Sequence, residues 1–193
     1  QASACRGGEP PGAASAHLPP AAFVSFLQTH DQVGNRALGE RIHALADPAR
    51  ERAALACVLL APQVPMLFMG EEWAASTPFL FFCDFGAELA LAVREGRRGE
   101  FARFAAFADP KQRERIPDPG APATFEASKL RWAERDEGEH RQRLELVREL
   151  IGRRRKHVAP RLAGARASGL AAIVNRVLKV EWTMGDGWRL RLL

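Results

Sequence analysis

The chain has 193 residues, a formal charge of +5 and 47% hydrophobic residues, an ordinary balance for a soluble protein that buries a core. Its three cysteines, Cys5, Cys57 and Cys83, are too few and too scattered for a disulfide framework or a paired metal motif, and a reducing cytoplasm fits them best. No apolar run approaches the roughly 18 residues of a membrane span, and the arginines alternate with glutamates, as in Arg94-Glu95-Gly96-Arg97-Arg98-Gly99-Glu100, which marks a solvated helix face more than a phosphate track.

Residues 1–20 are rich in Gly, Pro, Ala and Ser and read as a loop, including the Cys5-Arg6-Gly7-Gly8 stretch. After Pro19-Pro20, the run Phe23-Val24-Ser25-Phe26-Leu27 is aromatic, aliphatic and β-branched, and reads as a buried strand. Directly behind it stand Gln28, Thr29, His30, Asp31, Gln32, Asn35 and Arg36, with Gly34 giving the backbone room to turn. Two readings fit this density of polar groups. In one it is a plain connection, with Asp31 capping the next helix, His30 satisfying a carbonyl and Gly34-Asn35 making the turn. In the other it is a site, because α/β barrels and open α/β sheets carry their chemistry at the carboxyl ends of strands.

Leu38 to Ala46 reads as a short connection. Asp47-Pro48 then opens a helix running to about Ala61, with Leu55, Val58 and Leu59 on its buried side and Pro62 as its stop. Val64 to Met69 reads as a second strand that tolerates Pro65 near its start, which completes a strand-helix-strand unit with parallel, right-handed topology. Gly70-Glu71-Glu72-Trp73 follows at the second carboxyl end. Its simplest roles are bracing, or pairing of a glutamate with Arg36, and a tryptophan beside an apolar strand is more often core.

Thr77 to Phe85 is dense in phenylalanine and reads first as packing, and second as part of a ligand groove. Glu88 to Phe107 reads as a helix broken near Gly96, and Asp109 to Ala123 as a Pro- and charge-rich loop. Glu139 to Lys156 is amphipathic, with Leu144, Val147, Leu150 and Ile151 at helical spacing, and its closing Arg153-Arg154-Arg155-Lys156 complements the carbonyl end of a helix dipole. From about Arg161 the period changes to alternation. Leu178, Val180 and Trp182, then Trp188, Leu190 and Leu192, flank Gly185-Asp186-Gly187 as in a hairpin, which needs further cover for its apolar face.

The segment Phe-Leu-Gln-Thr-His-Asp-Gln-Val-Gly-Asn-Arg-Ala, residues 26–37, resembles the signature at the end of the seventh barrel strand of the α-amylase superfamily of glycoside hydrolases, and in its extended form that of the maltooligosyltrehalose trehalohydrolases. The likeness extends through Gly70 to Arg98 and to Thr124–Trp132. It implies an α/β fold: the C-terminal part of a (β/α)8 barrel over 1–160, about strands 7 and 8, then the beginning of an antiparallel C-terminal β-sandwich domain over 161–193. It implies an enzyme that releases trehalose from maltooligosyl trehalose, with no cofactor or metal and neither nucleic acid nor membrane as a partner. Other α-glucan-active enzymes, branching or debranching, and a noncatalytic carbohydrate-binding fragment are the alternatives. Within the resemblance Asp31 stabilises the transition state, His30 hydrogen-bonds the same sugar, and Gln32, Asn35, Arg36, Glu72 and Trp73 are candidate substrate contacts.

In that family the nucleophile and the acid/base glutamate sit on earlier strands, so Glu71 and Glu72 are not assigned as the catalytic pair. A complete barrel typically needs about 250 residues. The chain starts at Gln1 and ends at Leu193 inside an apolar run, so it is expected to be the C-terminal part of a longer polypeptide whose missing N-terminal part supplies the other two carboxylates, and to be inactive alone.

Overall fold

The computed structural model describes residues 15, 17–174 and 177–193; the loop reading around Cys5 lies outside the described residues. The described residues mix helices with one parallel and one antiparallel sheet, and the chain divides into two compact units.

The first unit comprises the described part of 1–25 together with 57–65 and 151–193. Here β1 (Val24–Ser25) and β2 (Val64–Pro65) pair in parallel, Val24 opposite Val64, and the Val64 amide donates to the Phe23 carbonyl at 2.9 Å. Both strands are shorter than their apolar runs. Val24 and Val64 are also 55% and 43% exposed, not buried, because a two-stranded ladder leaves one edge of each strand and both faces without neighbouring strands to cover them.

The antiparallel sheet of this unit has three strands: β3 (Arg166–Val174), β4 (Val177–Thr183) and β5 (Arg189–Leu192), in that order. Trp182 faces Leu190 and Val180 faces Leu192, so the alternation in the sequence becomes one apolar face. That face buries Trp182 and Met184 with Val158 and Ala165, and Ala61, Leu162, Val180, Leu190 and Leu192 pack against them. The turn falls at Gly185–Gly187, where a side chain on Gly185 would collide with the Ala163 carbonyl. Trp188 leaves the expected pattern: it is 64% exposed and lies over the Arg161 guanidinium instead of joining the face.

The second unit comprises 26–56 and 66–150. It holds α1 (His30–Gly34) and α2 (Ile42–Leu45), most of α3 (Pro48–Leu60), then α4 (Ala87–Phe101), α5 (Pro110–Arg113), α6 (Pro122–Ser128) and most of α7 (Gly138–Arg153). The Asp47 carboxylate accepts from the Ala49 and Arg50 amides, capping α3 as its sequence requires, and Leu55 and Leu59 are fully buried. One core of this unit is Ala37, Phe101 and Ile116, flanked by Leu38 and Phe107.

Three local expectations are corrected. The helix α4 runs unbroken through Gly96, whose conformational cost of about 1 kcal/mol is offset by the anchoring of buried Arg97 and Phe101 on the same helix. The segment 109–123 contains helix, because Asp109 accepts from the Lys111 amide and Pro110 fits the first turn of α5, while Pro122 opens α6 in the same way. Arg154, read as one of several cations serving its own helix end, is buried in a π-type turn (Arg154–Val158) and donates to the carbonyls of Leu59 and Ala61, acceptors left over at the end of α3, and of Gln63 just before β2. Among the described residues no helix is long and apolar enough to cross a membrane.

Candidate functional site

The polar run behind β1 forms α1, a helix of only five residues. Such a helix is too short to hold itself together, so its direction depends on what surrounds it. Val33 and Gly34 are its buried side, with Gly34 against the Phe79 ring. His30 and Asp31 lie on the open side with side chains 71% and 75% exposed, and His30 Nε2 stands 3.2 Å from Asp31 Oδ1.

Two clefts meet at this pair. One, of about 220 Å³, is lined by His30, Asp31, Gly34, Asn35 and the residues from Phe79 to Phe82. The other, of about 180 Å³, is lined by Gln28, Thr29, His30, Asp31 and the segment Met66 to Phe68. A carboxylate open to two clefts, with an imidazole beside it, can hydrogen-bond a polyhydroxylated ligand from either side.

The other candidates separate. Asn35 lines the first cleft. Gln32 is exposed, and its side-chain oxygen accepts from the Thr29 hydroxyl at 2.6 Å. Arg36 pairs with Glu40, four residues along the chain, at 3.2 Å, and not with Glu71 or Glu72. Neither Glu72 nor Trp73 lines the two clefts. Glu72 is half-buried and its charge bears on Arg41. Trp73 is 2% exposed, with its ring 5.1 Å from that of Trp132 and its indole N–H on Glu134 at 3.3 Å, so it has no free face for a sugar.

Beneath the pair lies a set of buried polar side chains that their spacing in the sequence does not announce. Gln28 accepts from the Ile42 amide at 3.0 Å. Arg41, 2% exposed, donates to the carbonyls of Thr77 and Met69 at 2.7 and 2.8 Å and stacks on Phe68, and burial lowers its pKa against the opposing pull of Glu71. Glu71, 1% exposed, accepts from the Phe68 amide at 2.9 Å. Burial pushes its carboxyl above the usual range, although the Phe68 amide and the Gln28 carboxamide oppose the shift. These contacts hold the floor of the second cleft. Gly39 contributes at the first: its φ of +60° is left-handed, its carbonyl accepts from the Phe79 amide at 2.9 Å, and a Cβ there would fall 2.5 Å from the Phe79 oxygen.

Arg97 of α4 is the other unannounced residue. It is 8% exposed, and its Nη2 donates to the carbonyls of Gly34 and Arg36 at 2.6 and 2.8 Å. In the sequence it is one of several arginines set among glutamates; a signal that singles it out is its place between two helical glycines, four residues before the buried Phe101. Among the described residues no group of three or more His, Cys, Asp or Glu side chains is placed to hold a metal ion.

No protein-family model matches the chain. Among curated proteins it is similar to the malto-oligosyltrehalose trehalohydrolase of Deinococcus radiodurans, 50% identical over 134 residues, which is 69% of this chain and 22% of that protein. The enzyme of the same name from Arthrobacter ramosus is 47% identical over 135 residues, 69% of this chain and 23% of that protein. The chain is a homologue of the malto-oligosyltrehalose trehalohydrolases. It spans under a quarter of the length of these relatives. Among solved structures it is similar to a crystal structure from Salmonella typhimurium provisionally named an alpha amylase, with a TM-score of 0.81 and 44% identity, covering 95% of this chain and 30% of that one. The names of these relatives are those of glycoside hydrolases, enzymes whose chemistry needs carboxylates directed at a sugar ring. Asp31 is the carboxylate that this chain directs into the clefts.

Proposed function

We propose that this chain is the C-terminal segment of a trehalohydrolase polypeptide that hydrolyses the α-1,4-glucosidic bond next to the trehalose unit of maltooligosyl trehalose. The observation that carries the reading is the exposed His30–Asp31 pair at the meeting of two clefts, in a chain 50% identical to a malto-oligosyltrehalose trehalohydrolase over 134 residues. Asp31 grips ring hydroxyls, and its hydrogen bonds tighten as the sugar flattens toward the oxocarbenium ion, a differential worth several kcal/mol in such enzymes. His30 bonds the same sugar, Asn35 reaches the ligand along the first cleft, and Gln32 and Arg36 support the loop. The nucleophile and the proton donor belong to the rest of the polypeptide, so residues 1–193 alone are inactive.

The architecture follows the same reading. β1 and β2 are the seventh and eighth strands of a (β/α)8 barrel covering 1–160, and 161–193 begin a C-terminal β-domain. The exposed Val24 and Val64 support it, since barrel neighbours would pair the open edges of these strands and cover their side chains. Substrate and the preceding part of the polypeptide are the partners, and the compartment is the cytoplasm.

The likeness to a structure provisionally named an alpha amylase favours, second, a broader α-glucan-active enzyme. Product analysis separates the two. The complete polypeptide releases free trehalose from maltooligosyl trehalose, its Asp31→Asn variant loses about 100-fold or more of kcat with the fold intact, and the isolated 193 residues release none. Branched glucan or free maltooligosaccharide as the product would replace the trehalose reading with the broader one. Full activity in Asp31→Asn would remove Asp31 from the mechanism.

A further inference from the structure

We infer that Arg97 is a positioning residue that fixes the orientation of the His30–Asp31 helix, and through it the catalytic competence of the site; the inference rests on the glycosidase reading of that pair. The two hydrogens of one guanidinium nitrogen are shared between the Gly34 and Arg36 carbonyls, which lie on either side of Asn35. Gly34 closes α1, and its carbonyl is one that so short a helix cannot satisfy internally. Arg97 therefore holds the end of the helix that carries His30 and Asp31 at its start. The same guanidinium lies 4.7 Å from the centre of the Phe81 ring and 5.2 Å from that of Phe101. Phe81 lines the cleft with Asp31, and Phe101 belongs to the Ala37 core, so one side chain joins the helix end, the cleft wall and the core.

Among the described residues, Arg97 is the side chain that donates to the Gly34 and Arg36 carbonyls. Thr29, the residue before α1, makes no side-chain cap to it, and His30 and Asp31 are exposed enough that packing does not orient them. What remains to aim the pair is the buried side of the helix, namely Val33, Gly34 on Phe79, and the Arg97 fork. Glu100 pairs loosely with Arg97 Nη1 at 3.9 Å and is half exposed, whereas Nη2 makes its short contacts, at 2.6 and 2.8 Å, to the two carbonyls. A lysine ammonium can donate to two carbonyls from one nitrogen, as Nη2 does, but it has no planar group to lie on the Phe81 and Phe101 rings at the same time, so it does not hold the helix end, cleft wall and core together.

Because Arg97 acts through Asp31 and not on the sugar, its loss lowers kcat and leaves ground-state binding nearly intact. A misplacement of about 1 Å can cost on the order of 100-fold in rate. The test uses the complete polypeptide and four proteins: wild type, Arg97→Lys, Arg97→Ala and Asp31→Asn. The expected result is a kcat for trehalose release lower by about 10- to 100-fold in both Arg97 variants, with KM within about threefold of wild type. Guanidinium ion in the millimolar range restores part of the activity of Arg97→Ala, and sodium at equal ionic strength does not.

Wild-type kcat in Arg97→Lys, well below its melting temperature, together with an inactive Asp31→Asn, overturns the inference and leaves the glycosidase reading standing. So does a lowered melting temperature with normal kcat, which is a structural role alone. If Arg97→Ala does not fold, Arg97→Lys carries the decision by the same criterion. Full activity in Asp31→Asn overturns the glycosidase reading and this inference with it.

Discussion

Arg143 of α7 and Glu51 of α3 meet as a two-pronged pair, Nη1 to Oε2 at 2.7 Å and Nη2 to Oε1 at 2.5 Å, with both side chains over 90% buried. The contact joins residues 92 positions apart in the sequence and ties the starts of the two long helices within one unit. Removing one partner leaves the other charged and buried. Arg143→Ala is therefore expected to destabilise the chain by about 3–5 kcal/mol, whereas Arg143→Met combined with Glu51→Gln costs much less, because the double change leaves no uncompensated charge. Urea unfolding of the two variants beside wild type checks this; equal losses would mean that packing, and not the charge pair, dominates the contact.

His43 gives the fold an acid limit. Burial, then the nearby Arg41 charge, hold its pKa below the ordinary histidine value. The native state therefore binds this proton less readily than the unfolded chain. As pH falls below about 6.5, the unfolded chain takes up a proton that the native state refuses, and stability drops until the lower native pKa is reached. The stabilising effect of the neutral ring is complete above that window. His43→Gln is expected to flatten the wild-type loss in urea midpoint between about pH 7 and pH 5; parallel pH profiles for the two proteins would exclude His43 as the cause.

Gly39 cannot bear a side chain. Its φ of +60° and the 2.5 Å separation that a Cβ would have from the Phe79 oxygen combine backbone strain with a backbone clash. Gly39→Ala is expected to cost about 1–3 kcal/mol and to weaken protection of the Phe79 amide, which donates to the Gly39 carbonyl. Hydrogen exchange at Phe79, measured with thermal unfolding, reads both effects. Unchanged exchange would show that the chain relaxes without moving the Phe79–Phe82 wall of the cleft.

The residues that local chemistry governs were readable in advance. Asp47-Pro48 starts α3 and Pro62 follows its end, because caps and prolines act on neighbouring backbone groups. The alternation around Gly185-Asp186-Gly187 becomes the β4–β5 pair with Trp182 on the buried face, because period two admits one inward side. The polar run at 28–36 marked the candidate site through its motif, which belongs to the chain alone.

The functions of the arginines were not readable. Arg97, Arg143 and Arg154 sit in charge-rich helical stretches that look solvated, yet each is buried on a partner far away in the chain: the Gly34 and Arg36 carbonyls, the Glu51 carboxylate, and the carbonyls that end α3. Nothing within several residues of an arginine records which distant carbonyl lacks a donor, since that deficit arises when helices end against one another. Trp73 shows the same limit from the other side: the motif made it a candidate for stacking on sugar, and Glu134 and Trp132, about sixty residues away, enclose it instead. Helix starts, turns, strand faces and the His30–Asp31 motif are written in short spans of the chain. The burial of its charges and the aim of its site are set by contacts between spans, where desolvation makes each unpaired polar group costly and so selects its partner.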